Sequence, residues 1–215
     1  MSFSTMLIQM GSGMTKSLLI FVLTLIFSMP LGMIVAFGRM SKNTVLRNIV
    51  KFYISVVRGT PLMLQLLVIF YGPFYLFKMN IGGFRFPAVI IGFSINYAAY
   101  FAEIYRSGIQ SIPVGQYEAA NVLGYSKQQT FMLIILPQMI KRILPAVTNE
   151  IITLVKDTSL AFAIAYQEMF TVGKQIAASQ TSFLPFIIAG VFYYISNLVV
   201  AFVMEKAEDK LSYYR

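Results

Sequence analysis

Residues 113–137 read PVGQYEAANVLGYSKQQTFMLIILP, and apolar stretches long enough to cross a membrane stand on both sides of them. Pro113 suits a first helical turn and Gly124 suits the position just past a helix end, so the spacing predicts a short helix over about residues 113–123. Ser126 and Gln129 stand at capping-box spacing, which predicts a second helix running through Phe131 to Leu136 and disturbed at Pro137. Gly124 permits the reversal between the two. The expected product is a helical hairpin lying on the membrane face, with Glu118, Ala119, Ala120 and Gly124 at its bend. The small alanines there allow a partner to approach closely, and Glu118 is placed to meet a basic group on it.

Outward from this loop the chain is strongly apolar. Of its 215 residues, 58% are hydrophobic and 12% charged, and the mean hydropathy is +0.73. A soluble domain of this size needs more polar surface than that. Expected spans fall at about residues 17–38, 59–77, 86–105, 143–166 and 183–204, each near the ~20 residues a bilayer requires. The fourth carries Glu150, Lys156 and Asp157 inside it. The reading is an all-α membrane protein of one domain over residues 1–215, with five transmembrane helices and a helical loop over about residues 110–137. No basic residue precedes Lys16, and the apolar run after it is longer than a signal-peptide core and lacks an A-x-A site, so it is expected to be a retained span.

The formal charge of +9 follows topology. With the N-terminus outside, twelve of the 17 Lys and Arg residues fall on inside segments and four, Lys16, Lys78, Arg85 and Lys174, fall outside. Basic residues are retained on the cytoplasmic side, so residues 110–137 and the C-terminus are expected there. The mixed-charge end, Glu205 to Arg215, is expected to be a solvated tail. The chain has no Cys and no His, which removes thiol nucleophiles, imidazole bases and the usual zinc or haem ligands. Neither a catalytic residue nor a metal site is expected. No G-x4-G-K-[ST] sequence is present, so ATP chemistry would belong to another chain.

The pattern E-A-A, three residues, G, nine residues, I-x-L-P over Glu118 to Pro137 resembles the cytoplasmic coupling loop of permease subunits in bacterial ATP-binding-cassette importers. The likeness continues through Arg58-Gly59-Thr60-Pro61-Leu62, Ala102-Glu103-Ile104, Gly108 to Pro113 with Gly115-Gln116, and Lys156-Asp157-Thr158-Ser159-Leu160. These resemble the polar amino acid branch, which includes subunits for histidine, glutamine, glutamate and arginine uptake. The resemblance implies the type I importer fold, in which a five-helix subunit of the bacterial cell membrane dimerises with itself or a similar permease. It implies two ATPase subunits that bind ATP and Mg, docked on Glu118, Ala119, Ala120 and Gly124, and an extracytoplasmic binding protein that delivers substrate. No cofactor is expected on this chain.

Ionisable groups inside a span are costly unless paired or wet, which makes them candidates for function. Glu150 and Asp157 are two helical turns apart on nearly one face, separated by about 10 Å along the axis. Asn96 falls at a depth between them, and Gln65 comes out level with Glu150. The four together could line a polar site midway across the membrane, the carboxylates holding a cationic side chain and the amides or backbone groups holding the α-amino and α-carboxylate groups. Each has a structural alternative. Asp157 could pair with a basic residue on another helix, and Asn96 and Gln65 could be interhelical hydrogen-bond glue. Glu103 and Arg106, at i and i+3, read as a local ion pair, and Arg58 could snorkel to headgroups or pair with Glu103.

The leading expectation is the transmembrane subunit of an ATP-driven importer for polar, cationic amino acids such as arginine, lysine or histidine, working by alternating access. Glutamine or glutamate as substrate stays open. So does a stand-alone secondary transporter using Glu150 and Asp157, although two related halves and broken helices, usual in such carriers, are not seen.

Overall fold

The computed structural model describes residues 2–211, and its regular elements are all helical. Helix α1 runs over Phe3–Arg39, about 55 Å at 1.5 Å per residue. It begins fourteen residues before the expected span, because Ser2 caps it through the Thr5 N–H and no proline intervenes before Pro30. Tertiary packing holds the extension. Met6, Met10 and Met14 are buried against Met169, Ile176 and Ala189.

The second expected span is a bent pair. Helix α2 covers Thr44–Gly59 and α3 covers Leu62–Phe77, and the two axes meet at 109°. Pro61 explains the break. The residue before a proline is pushed out of the helical region, and Thr60 is extended at φ −124°, ψ 147°. Helix α2 thus lies ahead of the expected second span, in a segment where no span is expected. Helix α3 alone spans about 24 Å, short of a ~30 Å hydrocarbon core.

Helix α4, Arg85–Gln110, is the centre of the bundle, with Phe93, Tyr97, Phe101 and Ala102 buried. It packs along α1 through small residues. A Cβ on Gly32 would stand 2.8 Å from the Phe101 Cβ and 3.2 Å from the Ala98 carbonyl oxygen.

The hairpin forms as its punctuation predicts. Helix α5 covers Val114–Val122, Pro113 precedes it, and Gly124 turns the chain at φ +77°. Ser126 and Gln129 make the reciprocal capping box that opens α6, Lys127–Gln129. Beyond it the disturbance expected at Pro137 takes a specific form. The chain widens into a π-helical stretch, Thr130–Ile135, and then continues as α7, Leu136–Asp157. Proline lacks an N–H and crowds the carbonyl four residues back; the wider turn just before it accommodates both losses, so Pro137 sits in the first turn of α7.

After Asp157 the rod tightens into a 3₁₀ stretch, Thr158–Ile164. The hydroxyls of Thr158 and Ser159 donate to the carbonyls of Val155 and Lys156, competing with the helical ladder there. Helix α8, Met169–Gln180, and helix α9, Leu184–Leu211, complete the fold. Among the described residues, four helical runs are long and apolar enough to cross a membrane, and the bent pair α2 and α3 makes a fifth if it is one span. The C-terminal end carries exposed charges at Glu205, Lys206, Asp209 and Lys210 as far as Leu211. It is helical, and Glu208 accepts a 2.6 Å hydrogen bond from Thr148 on α7; residues 212–215 lie outside the described residues.

Candidate functional site

Two polar stripes face one another across the bundle. On α4, Asn96, Tyr100, Glu103 and Ser107 recur at helical spacing, with Ser111 continuing the row at its C-terminal cap, and on α7, Asp157, Thr153 and Glu150 do the same. The stripes bound two cavities. The central one, about 390 Å³, lies between the start of α3, the middle of α4 and the end of α7, and its polar lining is Thr60, Asn96, Tyr97, Tyr100, Glu150, Thr153 and Asp157. Among the described residues, no Lys or Arg lines it. The second, about 490 Å³, lies toward the α5 end and is lined by Arg58, Glu103, Arg106, Ser107, Arg142 and Glu150, among others. Tyr100 and Glu150 belong to both walls.

Three of the four expected substrate residues meet in the central cavity. Glu150 is half-buried there and has no hydrogen-bond or ion-pair partner among the described residues. Asp157 has a partner, but not the cation that the structural alternative required. It accepts a 2.7 Å hydrogen bond from the Tyr97 hydroxyl, and Tyr97 is 2% exposed. Asn96 lines the cavity while donating to the Gln65 side-chain oxygen at 3.0 Å.

Gln65 stands behind Asn96 and does not line the cavity. Its amide nitrogen donates to the carbonyls of Val57 and Thr60 and lies 2.9 Å from the Thr60 hydroxyl. It therefore ties the α2–α3 break to α4, since each of those groups would otherwise be an unsatisfied polar atom in an apolar setting.

The second cavity is organised by ion pairs. Arg106 grips Glu103 with two guanidinium nitrogens, the shorter contact 2.6 Å, as their spacing predicts, and also donates to Gln110. Arg39 approaches Glu103 at 3.8 Å. Arg142 donates to the Ser111 carbonyl. Arg58 does not pair with Glu103; its guanidinium lies 5.1 Å above the Tyr100 ring.

At the hairpin, Glu118, Ala119 and Gly124 are exposed, together with Val114, Val122 and Leu123, which are 69%, 86% and 73% exposed. Ala120 differs. It is fully buried, because α5 lies against the π-helical stretch on that side, so it serves internal packing and not an outer contact.

Sequence reasoning passed over Tyr97, Tyr100, Thr153 and Arg142. The 3–4 spacing of the two stripes was the signal that could have found them. It also passed over Glu168, a fully buried carboxylate that accepts from Ser17 on α1, from the Phe170 and Thr171 N–H groups and the Thr171 hydroxyl on α8, and from Tyr193 on α9. Its role is structural, since it caps α8 and joins three helices.

The profile of the binding-protein-dependent transport system inner membrane component matches residues 28–213. Among curated proteins, the L-cystine transport system permease protein TcyB of Bacillus subtilis is 37% identical over 208 residues, covering 95% of this chain and 87% of that protein. The arginine transport system permease protein ArtQ of the same organism is 36% identical over 200 residues, 93% and 90% of the two chains. A crystal structure of an amino acid ABC transporter with histidines superposes with a TM-score of 0.86 at 32% identity, covering 98% and 99%.

Proposed function

The chain belongs to the binding-protein-dependent transport system inner membrane components, as a type I permease of amino acid ABC importers, and from that premise we propose that it imports cationic amino acids. The observation that carries the substrate class is the central cavity, where two carboxylates, one of them without a hydrogen-bond or ion-pair partner among the described residues, face a space that none of the described Lys or Arg residues lines. Two carboxylates held in a low-dielectric region with no cation in the cavity lining carry a desolvation cost. A guanidinium or ammonium relieves that cost, whereas an anionic side chain adds to it. Glu150 and Asp157 hold the cation in this reading, and Asn96 offers a neutral hydrogen-bonding group beside them. Gln65 fixes Asn96 and does not touch substrate. The relative named for arginine transport supports the class; the one named for L-cystine keeps the family's range broader than cations.

The same reading places the N-terminus outside and the hairpin in the cytoplasm of a bacterial inner membrane, following the excess of basic residues on the hairpin side. Glu118, Ala119, Gly124 and the exposed Val114, Val122 and Leu123 then form the surface on which an ATPase subunit docks. ATP and Mg belong to that subunit, a second permease completes the pathway, and an extracytoplasmic binding protein delivers the amino acid. Closure of the ATPase pair moves α5, and α7 carries the motion to Glu150 and Asp157 because the chain from Lys127 to Ile164 is one helical run.

Uptake by the complex reconstituted in proteoliposomes tests the proposal, with labelled arginine competed by lysine, histidine, glutamine and glutamate. Lysine is expected to compete and glutamate to fail. Efficient competition by glutamate with none by lysine would reverse the substrate assignment.

A further inference from the structure

An amino acid carries an α-carboxylate whatever its side chain, and the central cavity offers that group no cation. A carboxylate taken out of water needs a hydrogen-bonding or charged partner. Four guanidinium groups lie near the second cavity, and three are engaged: Arg106 with Glu103 and Gln110, Arg142 with the Ser111 carbonyl, and Arg39 with Glu103. Arg58 differs. Among the described residues it has no carboxylate at ion-pairing distance and no hydrogen-bond acceptor; its guanidinium rests on the face of Tyr100, close enough to Glu150 and Glu103 to act on both carboxylates through space. Tyr100 is also a wall of the central cavity, and Glu150 lines both spaces. Arg58 therefore stands across one aromatic ring from the carboxylates that hold the other end of the substrate. It occupies the last turn of α2, two residues before the extended Thr60 and the 109° bend, so rotation at the break moves it relative to α3 and α4.

Resting on the proposed role of the central cavity, we infer that Arg58 binds the α-carboxylate of the amino acid, so that the substrate spans the Tyr100 divide with its cation on Glu150 and its carboxylate on Arg58. The seat on the tyrosine ring keeps the guanidinium stabilised while the site is empty. Arrival of the carboxylate replaces that contact with paired, charge-assisted N–H donation, which the planar guanidinium supplies and a lysine does not. Arg58 is thus a specificity residue for the amino acid backbone, while Glu150 and Asp157 read the side chain.

The test uses the detergent-solubilised complex of permease and ATPase without the binding protein, which would impose its own selection. Binding of labelled arginine is measured by equilibrium dialysis, with competition by agmatine, the same molecule without its carboxylate. The parent is expected to prefer arginine over agmatine by about ten- to a hundredfold, the scale of hydrogen bonds to a charged group. In Arg58→Gln that preference is expected to collapse to within about threefold through loss of arginine affinity, with agmatine binding unchanged. A preference as large as the parent's in Arg58→Gln overturns the inference, because the carboxylate is then held elsewhere, for example by the free N–H groups at the start of α3. If Arg58→Gln does not assemble, Arg58→Lys decides: it is expected to lower the preference several-fold, and an unchanged preference overturns the inference. A parent complex that binds no arginine overturns the reading of the central cavity and this inference with it.

Discussion

Glu150 faces the central cavity without a hydrogen-bond or ion-pair partner among the described residues, and its neutral counterpart keeps the same volume. Glu150→Gln is therefore expected to weaken transport of arginine and lysine by about 1.5 to 3 kcal/mol, the worth of a hydrogen bond to a charged group, and any neutral substrate by less. Equal transport of every substrate in the variant would place the site elsewhere. Asp157 permits a sharper separation of roles. Its partner is the Tyr97 hydroxyl, so Asp157→Asn strands no buried cation and leaves an oxygen to accept the same hydrogen bond. An unchanged Tm of the solubilised complex is expected, with uptake of cationic amino acids selectively reduced. A lowered Tm with unchanged selectivity would make the residue structural. Tyr97→Phe supplies the control, since it removes the hydroxyl and is expected to cost about 1 kcal/mol of stability.

The hairpin shows how a helix element converts local conformation into coupling. Gly124 holds φ +77° with open space where a Cβ would stand, so a substitution there meets backbone strain and not a neighbour. A residue with a side chain costs roughly 1–2 kcal/mol in that conformation, and a β-branched one more. Gly124→Val is expected to distort the bend between α5 and α6 and to reduce transport-coupled ATP hydrolysis, with membrane insertion intact. Hydrolysis still coupled to transport at the parental rate would exclude the bend from the docking surface. The π-helical stretch after α6 belongs to the same element. It lets Pro137 sit in the first turn of α7, so the run from Lys127 stays helical into the region of Glu150 and Asp157.

At the scale of the whole molecule, α4 is the post around which the other helices gather, and close backbone approach fixes its contact with α1. Gly32→Val would drive a Cβ into the Phe101 Cβ and the Ala98 carbonyl, where the nearest atoms are on or next to the main chain and cannot swing away. The variant is expected to lose about 1–3 kcal/mol of stability, read as a lowered Tm and reduced recovery of the complex. Much of this molecule was determined by the sequence alone. Apolar runs, Ser126 with Gln129, and Gly124 act over a few residues, so the helical class, the hairpin and its cap were legible from spacing. Glu150 and Asp157 stood out because a charge inside an apolar run is costly wherever the helix packs. Only the tertiary structure decided the partners. That Asp157 meets a tyrosine, that Gln65 is consumed by the α2–α3 break, that Ala120 is buried and that Arg58 rests on Tyr100 all depend on which helix faces which. Those facings are set by side-chain packing between segments distant in the chain, and helical periodicity specifies a face without specifying what lies opposite it.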